Sequence, residues 1–287
     1  MRFKPLILAL FIALLTAPVR AGAPEDAVLS IGTFDELAAF SERVARGELA
    51  GVRAQLTADI RATRPLRAIG TALHMFSGEF DGQGHVISNL LVFAPRGSQG
   101  LFGSVAPEGV IRNLALEHAC VIGAGYVGVL AGYCAGRIEG CRVENSRAIC
   151  LSRALYGTAA GGIAGLASGR IASSAALMSS VRAPANAGGL CGAYHAGVLA
   201  RCAFSGVVAA TGAGEAPCGG LVGSLHGGAR LRFCAGFGAV MAFSGDYADT
   251  VAGGVFSGSS AVGCLFAGPG ASPALRRLVD ALAARGV

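Results

Sequence analysis

The apolar residues of this chain fall in short, glycine-bounded phrases rather than in long runs. Six phrases share one pattern: Gly100-Leu101-Phe102-Gly103, Gly128-Val129-Leu130-Ala131-Gly132, Gly161-Gly162-Ile163-Ala164-Gly165, Gly188-Gly189-Leu190-Cys191-Gly192, Gly219-Gly220-Leu221-Val222-Gly223 and Gly253-Gly254-Val255-Phe256-Ser257. Between them run two further columns. The first is Ile87, Ile111, Ile138, Ile171, Leu199, Leu231 and Val262. The second, three residues on, is Leu90, Leu114, Cys141, Ser174, Cys202 and Cys234, with Cys264 close to register after a shortened turn. Successive members of the first column are 24 to 33 residues apart. A repeat of this length marks a stacked architecture, and the drifting interval favours strands that stay stacked while their loops vary. Val86 to Val92, Ile111 to Leu116 and Val198 to Phe204 are short, rich in β-branched or apolar residues and bounded by turn signals, as strands are. The pattern predicts an all-β solenoid, a parallel β-helix whose columns stack about 4.8 Å apart.

The two ends read differently. Thr33-Phe34-Asp35-Glu36 has capping-box spacing, and Leu37, Phe40 and Val44 recur at helical intervals until Gly47. Leu56, Ala58 and Ile60 then alternate with polar residues, predicting a strand over Gln55 to Ile60. Ser272-Pro273 starts a second helical stripe through Leu275, Leu278, Val279 and Leu282. A helix at each end would cover stacking surfaces that the terminal coils otherwise expose. Arg2 and Lys4, the apolar run Leu6 to Leu15 and Val19-Arg20-Ala21 make an export signal, with Ala21-Gly22-Ala23 a second cleavage choice. The run is too short to cross about 30 Å of hydrocarbon. The expected plan is a signal over 1–21, a helical cap region over 22–54, the β-helix over 55–271 and a capping helix over 272–287.

Composition narrows the class. The chain has 287 residues, 53% hydrophobic and 14% charged, with 45 glycines. A disordered glycine-rich linker would be short of apolar residues, and collagen would place glycine every third position. The net charge of +6 includes Arg2, Lys4 and Arg20, so the processed chain carries +3. With 7% aromatic residues and little net charge, nucleic acid is not the expected partner.

Once these residues are laid out, the chain resembles GLUG-motif proteins. The phrase Gly219 to Gly223 matches that family's glycine–glycine–leucine–valine–glycine core best. The lead-in is also similar: Leu56-Thr57-Ala58-Asp59-Ile60, Ala68-Ile69-Gly70, Phe76 to His85, and Ile87-Ser88-Asn89-Leu90. The likeness covers residues 29 to 268; Ser257 and the shortened turn before Cys264 depart from it. It implies a right-handed parallel β-helix on exported or surface proteins, among them adhesin-like proteins and the non-catalytic parts of immunoglobulin A-cleaving metallopeptidases. It implies no catalytic residues.

The residues themselves offer little chemistry. Zinc peptidases place two histidines four apart around a glutamate; His74, His85, His118, His195 and His226 include no such pair, and they read as surface or turn residues. Glycoside cleavage needs paired carboxylates. From 86 to 271 the acids are Glu108, Glu117, Glu139, Glu144, Glu215, Asp246 and Asp249, and they are not expected to recur at one place on successive coils. The compact group Glu79, Asp81 and His85 sits in an Asp-Gly, Gln-Gly context that reads as turn chemistry. Calcium-binding repeats carry an aspartate in each copy, which these lack. Arg137, Arg170 and Arg230 each precede the inward column and share one expected outer face, which reads as a solvated surface or a site for acidic glycans. The nine cysteines (120, 134, 141, 150, 191, 202, 218, 234 and 264) are an odd number. Cys141, Cys202 and Cys234 take slots that leucines fill in earlier coils, so they are expected to be small, buried and reduced. The resulting expectation is an exported, non-enzymatic binding scaffold, with no metal and no cofactor. Its place would be the periplasm, cell surface or exterior, and its partner an extracellular glycan or surface protein. The alternative is a polysaccharide-cleaving β-helix.

Overall fold

The computed structural model describes residues 28–268, apart from 153, 155–156, 213–215, 243–247, 250 and 257, together with Arg277. The expected signal over 1–21 and, but for Arg277, the expected helix over 272–287 lie outside the described residues. The rest is a parallel β-helix. One coil runs from the six-stranded sheet (Ala131–Cys134) to the nine-stranded sheet (Arg137–Glu139). It crosses the eleven-stranded sheet twice (Arg142–Glu144, Arg147–Cys150), passes the five-stranded sheet (Ala159–Gly161) and returns at Ala164–Ala167.

Pairing fixes which residues stack. The inward column of the nine-stranded sheet is Leu29, Ala54, Phe80, Ile111, Ile138, Ile171, Leu199, Leu231 and Ala261. Ile87 is therefore not its first member. It belongs to the eleven-stranded sheet, between Ile60 and Leu116, in a column that continues through Val143, Ala176, Phe204, Gly236 and Phe266. Leu90 likewise lies at a different bend from Leu114, one rung before Ala119 and two before Ser146. At the other end pairing puts Ala261, not Val262, opposite Leu231, although both are exposed on this last rung, and that puts Cys264 in register. The last glycine phrase moves too. Gly219 pairs with Asp249 and Val222 with Ala252, so the true counterpart is Asp249-Thr250-Val251-Ala252-Gly253, four residues before the Gly253–Ser257 phrase. Gly253 is the phrase's closing glycine, where a Cβ would overlap the backbone of Cys218. With that shift, both the Ser257 ending and the shortened turn disappear.

Two bends per coil use left-handed backbone. After the nine-stranded sheet Asn113, Gly140, Ser173, Arg201, Phe233 and Gly263 have φ between +49° and +64°. The next residue turns inward: Leu114, Cys141, Ser174, Cys202, Cys234 and Cys264. Ser174 Oγ donates to the Ala172 carbonyl at 2.9 Å and accepts from Cys141 N at 3.1 Å. The thiols reproduce the first of these bonds, Cys202 Sγ to Ala200 O at 3.3 Å and Cys141 to Glu139 O at 3.5 Å. A small side chain with a weak donor thus tightens the bend from inside. A second bend, at Asn89, His118 and Asn145, splits the eleven-stranded sheet into two strands per coil. In Ala203–Ala210 and Ala235–Ala242 the strand runs through, and Gly206 and Gly238 take φ of +145° and +152°. A Cβ on Gly206 would overlap the Ser179 carbonyl oxygen.

The N-terminal helix is Phe34–Ala45, with the expected capping box: Thr33 Oγ1 accepts from Glu36 N at 3.2 Å, and the Glu36 carboxylate accepts from Thr33 N at 3.0 Å. It follows a strand the sequence pattern did not show, Val28–Ile31, which pairs with Arg53–Leu56. The strand expected over Gln55 to Ile60 is divided into Arg53–Leu56 and Ile60–Arg61. The helix therefore leaves and rejoins the solenoid between its first two rungs. Its Phe40 ring lies 6.2 Å from Phe76 and 5.9 Å from Phe80, both of which meet Phe102. These four buried rings close the end of the core.

All nine thiols are unpaired. Seven are buried, while Cys120 and Cys264 reach partly to the surface. Burial pushes the Cys134 and Cys141 thiols up to about 12, which suppresses the reactive thiolate. Native protein at pH 8 should therefore be alkylated at Cys120 and Cys264 at most, and at all nine after denaturation. Mass spectrometry of unreduced, denatured material showing four disulfides would contradict this arrangement.

Candidate binding faces

The compact group Glu79, Asp81 and His85 is taken apart by the fold. The Asp81 carboxylate is buried and accepts from Gln83 N and Nε2, both at 2.9 Å, from Asn113 Nδ2 at 3.2 Å and from Arg112 Nη2 at 2.7 Å. Arg112 Nε also holds Glu79 at 2.7 Å. His85 faces away to Asp59, 3.1 Å distant. The Val86 N–H, and then His85, hold the Asp59 carboxyl below its usual range. With every acceptor direction of Asp81 used, the group closes a turn, as its Asp-Gly and Gln-Gly steps imply. A cleft of about 190 Å³ beside it is lined by Arg53, Glu79, Asp81 and Arg112, and both of its carboxylates are already held by Arg112.

One expectation about the acids fails. Glu117 and Glu144 pair in register on adjacent rungs of the eleven-stranded sheet, so two carboxylates do recur at one place. The offset was readable, since each lies six residues after an inward isoleucine, Ile111 and Ile138, that the sequence pattern already aligns. Glu144 is bonded to Arg142, and Glu139 to Arg170 at 3.3 Å. Glu215 and Asp246 lie outside the described residues. His118 occupies the left-handed bend. Among the described residues no three histidine, cysteine or carboxylate side chains are grouped to hold a metal.

The outer face of the nine-stranded sheet carries a group of arginines on neighbouring rungs. One column reads Val110, Arg137, Arg170, Val198, Arg230 and Ser260, so the three arginines do share a face. The adjacent outward column reads Arg112, Glu139, Ala172, Ala200, Arg232 and Val262. Arg201 stands at the bend beside them. Arg232 could have been found from the strand period of two; Arg201 could not, because its bend reverses the alternation. On the entering side of the face His195, His226 and Phe256 form a ladder missed in the sequence. They precede their inward residues by four, five and five positions, since one turn carries an extra glycine. The His226 and Phe256 rings stack 4.1 Å apart at 9°, and His195 meets His226 edge-on at 4.9 Å.

A larger cleft of about 450 Å³ lies near the helix, lined by Leu66, Arg67, Phe93, Arg96, Gln99 and Ser104 among others. Arg67 is tied to Glu42 at 3.1 Å, and Gln99 Nε2 to the Arg96 carbonyl at 2.8 Å, so its polar walls are largely self-satisfied.

Two outcomes test this geometry. Asp81→Ala strands Arg112, Gln83 and Asn113 and should cost about 2–3 kcal/mol in urea unfolding, with Asp81→Asn recovering part of the loss. Burial lowers the His195 and His226 pKa values, His226 further through His195. Their neutral forms therefore favour the folded state above the ordinary value of 6.5, and that contribution fades as pH falls through the lowered folded values. The unfolding midpoint should drop between pH 7 and 5, and His226→Phe, which extends the Phe256 stack, should flatten the drop.

No protein-family model matches the chain. A segment of 132 residues is 33% identical to Halomucin of Haloquadratum walsbyi, covering 42% of this chain and 1% of that protein. The chain thus spans a very small part of that relative. Among solved structures it superposes on one described, provisionally, as an immunoglobulin A1 protease from Bacteroides ovatus. The TM-score is 0.62 at 23% identity, covering 83% of this chain and 76% of that one, a likeness of fold.

Proposed function

We propose that this chain is an exported, non-enzymatic β-helix of the GLUG-motif kind, serving as a binding scaffold at the cell surface or outside the cell. The observation that carries the reading is the division of labour between inside and outside. The interior is filled by apolar columns, and the compact acidic group is consumed in a turn, whereas an arginine-rich sheet face is left open to solvent. The local likeness to Halomucin supports a surface or secreted setting. The fold shared with the Bacteroides ovatus protein supports a β-helix that accompanies other activities, and fold alone assigns none. Among the described residues no helix is long and apolar enough to cross a membrane.

The in-register pair Glu117 and Glu144 favours a second reading, polysaccharide cleavage, since adjacent rungs set backbones about 4.8 Å apart, near the spacing of retaining glycosidase carboxylates. One experiment separates the two. The processed protein is applied to a glycan array and incubated with a polysaccharide panel. The scaffold reading expects retained binding without product; turnover abolished by Glu144→Gln in a folded variant would establish the enzyme instead.

A further inference from the structure

We propose that the outer face of the nine-stranded sheet between Arg170 and Arg232 is a binding site for an acidic polysaccharide, a chain of sugars bearing carboxylate or sulfate groups. This rests on the scaffold reading and names its ligand class.

The layout follows from register alone. On three successive rungs one outward column places Arg170, Val198 and Arg230, the next places Ala172, Ala200 and Arg232, and the bend beyond places Ser173, Arg201 and Phe233. Val198 and the two alanines make a low floor. Arg170, Arg201, Arg230 and Arg232 stand around it, all four exposed. Arg137 extends the row by one rung toward the N-terminal end. Glu139, paired with Arg170, is the one carboxylate among the described residues of this stretch. Arg137, Arg201, Arg230 and Arg232 make no ion pair with any described residue.

Such a concentration is mildly unfavourable by itself, because like charges on neighbouring strands repel. An anionic ligand relieves that repulsion. Guanidinium groups suit it better than ammonium groups would, since their planar fork donates two parallel bonds to a carboxylate or sulfate. Arg170 and Arg230 are two rungs apart, roughly 10 Å. An extended polymer carrying charge on alternate sugars presents anions on one side at a comparable interval. The rigid rungs hold the arginines' attachment points at that interval before the ligand arrives.

The aromatic rings decide between sugars and nucleic acid. Binding of single strands relies on successive bases stacking on successive free ring faces. Here the His226 and Phe256 rings cover each other at 4.1 Å, leaving no room for a base between them. Phe233, 64% exposed at the bend beside Arg201, is a single open ring. It can pack against the C–H face of one sugar at the edge of the floor, but it offers no series of stacking platforms.

The test uses the full processed chain with a fluorescent polygalacturonate oligomer, dextran sulfate, neutral dextran and an oligothymidylate of matched charge, at roughly 50 and 200 mM salt. Wild type should bind both acidic carbohydrates in preference to the oligothymidylate, leave neutral dextran unbound, and weaken at the higher salt. Arg230→Ala/Arg232→Ala should weaken the acidic carbohydrates at least about tenfold. Arg230→Lys/Arg232→Lys, which keeps the charge but not the fork, should fall between. Arg147→Ala, on the eleven-stranded sheet, should bind like wild type, and unchanged melting of the variants confirms folding. Equal affinity for the oligothymidylate, or undiminished binding by the alanine variant, overturns the site. Neutral-glycan binding on the array that survives both substitutions overturns this site while sparing the scaffold reading. Failure of wild type to bind any array glycan overturns both.

Discussion

Every feature of the molecule answers to one constraint: parallel rungs are stacked at a fixed pitch, so each inward side chain lies directly over its counterpart. Volume must then be balanced along a column rather than around a point. Phe204, Gly236 and Phe266 show the consequence. The two phenylalanine rings, two rungs apart, approach to 6.5 Å at 20° and close over Gly236 between them. A Cβ there would run into the Phe266 ring and Leu221. Gly189 makes way for the same Phe204 ring one rung earlier. Much of the glycine content is therefore spatial complement to large neighbours, not flexibility.

The same pitch separates structure from recognition. Inward positions have so little latitude that charged groups are placed outward or, like Asp81, are absorbed into a turn with all bonds satisfied. Outward positions on successive rungs are free to repeat a charge, and the nine-stranded sheet does so with arginine. A globular enzyme gathers its reactive groups in a pocket; this molecule distributes them along a flat, regularly ruled surface, which suits polymers better than small molecules.

The coil architecture was legible in the sequence because glycine phrases and apolar columns are local signals that survive loop variation. The column from Ile111 to Leu231 and the capping box at Thr33 appear in the structure where the pattern placed them. Register at the ends was not legible. Ile87 and Phe80 both lie near the first coil, and only strand pairing shows that Phe80 is the member of the nine-stranded column. Gly253 can be read as the opening or the closing glycine of the last phrase, and strand pairing, with the backbone of Cys218 packed against Gly253, selects the closing one. The binding face was half visible. Arg137, Arg170 and Arg230 share a position relative to the inward column, but Arg201 sits at a left-handed bend that breaks the strand alternation, and the His195–His226–Phe256 ladder sits in turns whose length changes from coil to coil. The pairing of Glu117 with Glu144 was legible, since both follow their inward isoleucines, Ile111 and Ile138, by six residues.

The inward bend position admits serine and cysteine alike, because hydroxyl and thiol both reach the carbonyl two residues back. Substitution between them is thus close to neutral for the solenoid, and a lineage could gather thiols there by drift alone. The four bend cysteines, Cys141, Cys202, Cys234 and Cys264, then record the shape of a bend rather than a disulfide framework. A rung can be duplicated with its thiol without creating a new pairing problem, since a stacked neighbour is held in place by its own backbone bond. That frees repeat number to vary without any matching change in the folding machinery of the compartment.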